Sequence, residues 1–251
     1  MSNSNVARDG TVKLDSDRRG TMALLGDPNF LRVWLIGLCS GTIRWLETLA
    51  VGVFVFERTG DAFIVALVLF LRMMPMLLFG ALIGVVADRI SRKKLLIAGM
   101  VMLCANSIAM GTLAYVGPIA IWQLAIGSFI SGLVWSMDFP VRRTVMGEIA
   151  GMKRAGFAMG LDTATSNATR MIGPILGGIL LQFLDIKGVY FVGTLMFVIA
   201  IILAVPIRYQ QNLLMSSTSG FLRNLLDGFH YIRSQRIITG VIVVTLFLNL
   251  L

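Results

Sequence analysis

G-V-V-A-D-R-I-S-R-K-K-L-L, residues Gly84 to Leu96, is a charged turn set between two long apolar runs. It holds one acid, Asp88, and four bases, Arg89, Arg92, Lys93 and Lys94. A run of about 20 mostly apolar residues is long enough to cross a bilayer as a helix. A dense charged turn between two such runs belongs in water, so the flanking runs read as membrane spans. Composition extends that reading to the whole chain. Of its 251 residues 57% are hydrophobic and 14% charged, with a mean hydropathy of +0.83. Soluble domains carry about 25% charged residues. The expected fold class is therefore an all-α, polytopic membrane helix bundle.

Six segments qualify as spans, at roughly 31–56, 62–87, 95–116, 119–137, 156–183 and 188–207. Asp27-Pro28 reads as an N-cap followed by proline at the first helical position. Arg58-Thr-Gly-Asp61 is the turn between the first two spans, Gly117-Pro118 breaks spans three and four, and Asp185 to Gly188 separates five and six. This organises the chain into a polar tail (1–29), a six-span unit (30–207), a connecting segment (208–236) and the start of a seventh span (237–251). In the connecting segment, Phe221, Leu222, Leu225, Leu226, Phe229 and Ile232 share one helical face, the pattern of an amphipathic helix on a membrane surface. Residues 237–251 would rise only about 22 Å as a helix, short of a hydrocarbon core of about 30 Å. The chain thus reads as the N-terminal part of a longer one.

The bases set the expected orientation. Seventeen lie in the tail, the second and fourth loops and the segment after span six; the other side has only Arg58 and Lys187. The positive-inside rule then puts the N-terminus in the cytoplasm. The formal charge of +9 follows this clustering. There is no basic stripe interleaved with aromatics, so a nucleic-acid partner is not expected. Cys39 and Cys104 lie inside apolar runs without metal or disulfide spacing, and His230 stands alone, so neither a metal nor a cofactor is expected. The first thirty residues lack an apolar core followed by a small-residue cleavage site, which reads against a cleaved signal peptide. No catalytic motif or phosphate-cradling loop is present, so the chain does not read as an enzyme.

Polar groups within spans are expensive and therefore mark candidate sites. In span one, Gly37, Ser40, Gly41, Arg44, Glu47 and Thr48 form one stripe. Arg44 and Glu47, at i and i+3, are spaced to pair directly. Two readings stand open: a self-neutralising structural pair, or the wall of a wet cavity with Glu47 able to take a proton. Span two carries Arg72, then Pro75, with Gly80 and Gly84 at close-packing spacing. Span four has Gly127, Ser128, Ser131 and Gly132 and ends in a D-F-P-V-R-R turn, with Asp138, Arg142 and Arg143. Span five places Asp162, Ser166 and Arg170 on one face beside Asn167. Gly173-Pro174 then interrupts the backbone hydrogen bonding, and Gly177-Gly178 offers a smooth surface. If Arg44 pairs with Glu47, then Arg72 and Arg170 lack a buried partner, which favours an anionic or electron-rich ligand.

The residues now gathered resemble the major facilitator superfamily. Gly84 to Lys94 is similar to its loop 2–3 signature, G-x-L-A-D-R-x-G-R-R/K-R/K, with Ser91 at the second glycine. Thr169 to Gly178 resembles the antiporter signature of span five, G-x-x-x-G-P-x-x-G-G, with Thr169 at the first glycine. L-R-M-M-P-M-L-L-F-G, D-F-P-V-R-R and L-L-D-G-F-H-Y-I-R look like the bacterial drug-efflux and enterobactin-exporter branch. The resemblance covers about residues 28–251.

It implies twelve spans in two halves that rock about a central site, with this chain supplying the first half. Spans two and five would be counterparts in inverted repeats. The function expected is proton-driven efflux of a small organic molecule through a bacterial inner membrane, with a missing C-terminal half, protons and the lipid bilayer as partners. Glu47 and Asp162 are the protonation candidates. Arg44, Arg72, Ser166, Asn167 and Arg170 are the candidate cavity residues. Gly84, Asp88, Arg89, Arg92, Asp138 and Arg142 are the candidate cytoplasmic gate, in which Asp88 can pair with a base or sit against a helix N-terminus of the other half. Pro75, Gly173, Pro174, Gly177 and Gly178 are candidates for bending and packing. A facilitator that imports a metabolite, or a scaffold or receptor that moves no solute, are the alternative expectations.

Overall fold

The computed structural model describes residues 24–208, with residues 81–89 as backbone alone. Every regular element among them is helical. In order these are α1 (Pro28–Thr59), α2 (Ala62–Arg89), α3 (Arg92–Val116), α4 (Ile121–Ala150) and α5 (Ala155–Ala204). The expected amphipathic helix, the seventh span and His230 lie outside the described residues, as do the side chains of Asp88 and Arg89, while Gly84 is described by its backbone alone.

Local chemistry sets the ends of these helices. The Asp27 carboxylate accepts from the backbone N–H of Asn29 at 2.8 Å and of Phe30 at 3.4 Å, and Pro28 opens α1. Two donors that a helix start leaves unpaired are thereby satisfied. α1 ends at Gly60, whose φ of 65° is the left-handed conformation that glycine adopts without a Cβ clash. The Asp61 carboxylate then accepts from Phe63 N–H at 2.8 Å and starts α2. At the start of α4 the Gln123 side chain reaches back to accept from Ala120 N–H at 2.8 Å.

Two expected interruptions turn out differently. The D-F-P-V-R-R stretch is not a turn. α4 runs through Pro140 to Ala150 and carries Asp138, Arg142 and Arg143 as helical residues, leaving only 151–154 as the connection to α5. Gly173-Pro174 lies within a helical part of α5, where the proline removes one backbone hydrogen bond without ending the helix. The reason is common to both: away from water, a proline's one missing hydrogen bond costs less than opening the helix and exposing several backbone groups. Spans five and six are joined end to end in α5. The break expected over 185–188 narrows to Asp185 alone, with φ 58° and ψ −177°. Its carboxylate accepts from the N–H of Ile186 at 2.6 Å. An unbroken helix of 50 residues would measure about 75 Å, more than twice a hydrocarbon core. Asp185 divides it into arms 155–184 and 186–204.

α1 packs along α5, α2 on α4, and α3 on both α4 and α5. The beginnings of α1 and α3 meet the ends of α4 and α5 at one basic end. There Lys93 Nζ donates to Val205 O at 2.7 Å, Arg208 N–H to Asn29 Oδ1 at 3.0 Å, and Arg92 pairs with Glu148. In hydrocarbon no hydrophobic force drives helices together, so small residues and interhelical hydrogen bonds hold them. A Cβ on Gly132 would overlap the carbonyl oxygen of Arg72, and one on Gly177 would lie 2.6 Å from Leu46 O. Gly173 admits the Cβ of Trp45 in the same way, at 2.6 Å. Gly178 makes only an ordinary contact with Leu49, and Gly80 meets nothing within 4 Å among the described residues, so the close-packing role expected of Gly80 is absent within this set. Asn106 Nδ2 bridges to Gly127 O and Ser131 Oγ, both at 3.1 Å, and Ser107 Oγ donates to Tyr190 O at 2.9 Å.

The inside of the bundle contains Phe30, Ile43, Leu46, Met100, Leu124 and Met146, together with Cys104. The outside is apolar as well: Phe63, Leu77, Met171, Phe183 and Phe191 are all well exposed. All five helices are long and apolar enough to cross a membrane. Large exposed apolar faces of this kind belong against lipid.

Candidate functional site

The polar residues expected to face inward converge on one cavity of about 210 Å³ among the five helices, its polar lining coming from α1, α2, α4 and α5. Arg44, Glu47, Arg72, Asp138, Arg142, Ser166, Asn167 and Arg170 all line it. Asp162 stands just behind the wall, bonded to Arg142. Of the expected gate residues with described side chains, Asp138 and Arg142 reach the cavity, whereas Arg92 pairs with Glu148 at the basic end. Groups of His, Cys, Asp or Glu able to hold a metal ion do not occur among the described residues.

The pairing of charges departs from the simplest expectation. Glu47 does not pair with Arg44. Its Oε2 lies 3.6 Å from Nη2 of Arg72 on α2, and both side chains are buried. Arg72 Nη2 also donates to the carbonyl oxygen of Arg44 at 3.3 Å. Spacing of i and i+3 allows an ion pair on one helix, but the rotation of α1 turns the two residues toward different neighbours. Glu47 faces α2 and the second arm of α5, where a Cβ on Gly193 would come within 3.2 Å of Glu47 Oε1. Arg44 faces α4, with its guanidinium 3.5 Å from the ring centroid of Trp135 and 4.9 Å from that of Trp45. Arg170 lies 5.1 Å from the Trp45 ring.

A second charged group sits on α4 and the first arm of α5. Arg142 Nη1 donates to Asp162 Oδ1 at 2.5 Å and Arg143 Nε to Asp162 Oδ2 at 2.7 Å. Arg143 Nη2 adds a bond to Thr163 Oγ1 at 3.0 Å. One helical turn earlier on α4, Asp138 Oδ2 lies 3.9 Å from Arg142 Nε, an ionic contact too long for a hydrogen bond. Asp138 Oδ1 and Arg142 Nε are buried without a hydrogen-bond partner among the described residues. The Arg142 guanidinium occupies the space left by Gly37 of α1, where a Cβ would overlap it. Four hydrogen-bonded or ionic contacts thus tie α4 to α5 or to itself beside the cavity floor.

Trp45, Trp135 and Arg143 were not among the residues singled out as site candidates from sequence. The two tryptophans carried a usable signal. Indole rings prefer the membrane–water interface, so a tryptophan in mid-span beside an intramembrane arginine suggests a cation–π partner.

This geometry, charged side chains lining a cavity inside an apolar helical bundle, agrees with what the chain resembles. The family model described as transmembrane secretion effector matches residues 19–250. Macrolide efflux protein A of Streptococcus pyogenes is 21% identical over 217 residues, covering 86% of this chain and 54% of that protein. The staphyloferrin A transporter of Staphylococcus aureus is 21% identical over 205 residues, covering 80% and 52%. A multidrug resistance protein of Salmonella arizonae is 29% identical over 149 residues, covering 59% and 35%. The chain spans about half the length of the first two of these relatives. It belongs to the transmembrane secretion effector family of major facilitator transporters.

Proposed function

We propose that this chain is the N-terminal half of a secondary active exporter that uses the proton gradient to move a small organic molecule out of the cell by alternating access. The observation that carries this reading is the buried Glu47–Arg72 pair at the wall of a charged cavity in a bundle with an apolar exterior. A carboxylate held by one arginine at 3.6 Å can exchange that arginine for a proton. Protonation frees Arg72 and changes the charge of the cavity, which couples proton binding to substrate binding. Of the two protonation candidates Glu47 takes this role. Asp162, held by two arginines, serves as a latch between α4 and α5.

The basic end faces the cytoplasm in this reading, as the positive-inside rule requires. Asp138, Arg142 and Arg92 then belong to the inner gate, together with Gly84, Asp88 and Arg89 and a C-terminal half. The membrane would be the bacterial inner membrane. The relatives named for macrolide efflux, staphyloferrin A transport and multidrug resistance support export of an organic molecule.

The test is uptake into everted membrane vesicles that contain the full-length protein, with a panel of labelled organic anions and cationic drugs. Accumulation of at least one probe should require the proton gradient, and Glu47→Gln should remove that dependence. Accumulation that continues unchanged after a protonophore collapses the gradient would overturn proton coupling.

A further inference from the structure

The arginines around the cavity differ in what they already hold. Arg142 is committed to Asp162 and Asp138, and Arg72 to Glu47. Arg44 and Arg170 make no ion pair and no guanidinium hydrogen bond among the described residues. Their guanidinium carbons lie over indole rings instead, Arg44 over Trp135 and Trp45, and Arg170 over Trp45. A face contact stabilises a cation through the ring's negative π surface. It leaves the in-plane N–H fork of the guanidinium unused, and that fork matches a carboxylate in two parallel bonds.

Charge points the same way. Four arginines and two acids, Glu47 and Asp138, line the cavity, which leaves two positive charges in excess. Cations gathered around one cavity repel one another, and an incoming anion relieves that repulsion. Ser40 and Asn167 add neutral polar groups to the same wall.

We propose that Arg44 and Arg170, set on the indole faces of Trp135 and Trp45, are the carboxylate receptor of this cavity, and that the molecule transported is an organic anion with at least one carboxylate. The inference rests on reading the cavity as the transport site. Arg72 is a positioning residue for Glu47 and not part of the receptor. An amine-bearing cation meets the wrong sign of charge here and gains nothing from the two forks.

The test is calorimetric titration of the purified full-length protein with citrate, with benzoate and, as a cationic contrast, with tetraphenylphosphonium. At least one carboxylate should bind saturably at millimolar concentration or below. Arg44→Gln and Arg170→Gln should each weaken it about tenfold or more, the loss expected when one charge-assisted pair is removed. Arg44→Lys, which keeps the charge and loses the fork, should fall between. Arg170 is exposed, so Arg170→Gln keeps the test open if the Arg44 variants fail to fold. Equal or tighter binding of tetraphenylphosphonium, no saturable binding of either carboxylate, or unchanged carboxylate affinity in Arg170→Gln would overturn the receptor. These outcomes separate from those for export. Proton-driven accumulation of a cationic drug that survives both glutamine substitutions would sink the receptor and leave export standing. Arginine-dependent carboxylate binding without gradient-driven accumulation would do the reverse.

Discussion

Two buried ion-pair groups in this bundle use the same residue types in different arrangements. At the cavity wall, Glu47 meets a single arginine at 3.6 Å. On α4 and α5, Asp162 accepts from Arg142 at 2.5 Å and from Arg143 at 2.7 Å, and Arg142 also faces Asp138. To separate the second group, two helices must part and several charge-assisted contacts must break together. To separate the first, one side chain must let go. Buried charges are tolerated when they are paired and hydrogen-bonded, and the number of partners decides whether such a group acts as a fastening or as a moving part.

This contrast can be broken by mutation, and the largest effect should come from the fastening. Arg142→Ala leaves Asp162 with one arginine and removes the ion pair Asp138 makes among the described residues, and removing one partner of a buried pair costs about 3–5 kcal/mol. The expected result is a large fall in the melting temperature of the purified protein. A melting temperature like that of the native protein would show that the group is solvated and carries no structure. Gly132→Ala comes next. A Cβ there overlaps the Arg72 carbonyl, so α2 and α4 must separate, at about 1–3 kcal/mol for an overpacked site. Because Arg72 holds Glu47, the same change should also reduce gradient-driven transport.

Glu47→Gln sharpens the other side of the comparison. The amide keeps the shape and one acceptor but leaves Arg72 without its counter-charge, so stability should drop by about 1–3 kcal/mol, while dependence on the proton gradient should disappear in the vesicle assay. A drop as large as that of Arg142→Ala would remove the distinction between the two groups. The smallest effects belong to sites outside both. Glu148→Gln, at a partly exposed pair with Arg92, should change stability by less than about 1 kcal/mol. Gly80→Ala, which meets open space among the described residues, should be near neutral, within about 0.5 kcal/mol.

Much of this was legible before any tertiary contact was known. Asp27-Pro28 and the Gly60 turn were readable because caps are made within a few residues of chain. The inward-facing stripe of α1 was readable because helical periodicity alone puts Ser40, Arg44 and Glu47 on neighbouring positions. The continuity of α4 through Pro140 was not. Its stability depends on surroundings that exclude water, and proline with two adjacent arginines has the composition of a turn. A break between spans five and six is legible in Asp185 to Gly188, but its narrowing to one residue is not, since a single residue at positive φ leaves little trace in composition.

What the sequence determined by itself is the class of the protein and the inventory of its site: an all-helical membrane bundle with a few charged residues buried where charge is expensive. Length, hydropathy and helical spacing depend only on the chain and its solvent. What only the tertiary structure decided is the pairing. Glu47 took Arg72 from another helix over Arg44 on its own, and Arg44 took an indole face over an acid. Such choices depend on how far each helix rotates about its axis, and that rotation is set by where Gly132, Gly173 and Gly177 let neighbouring backbones approach.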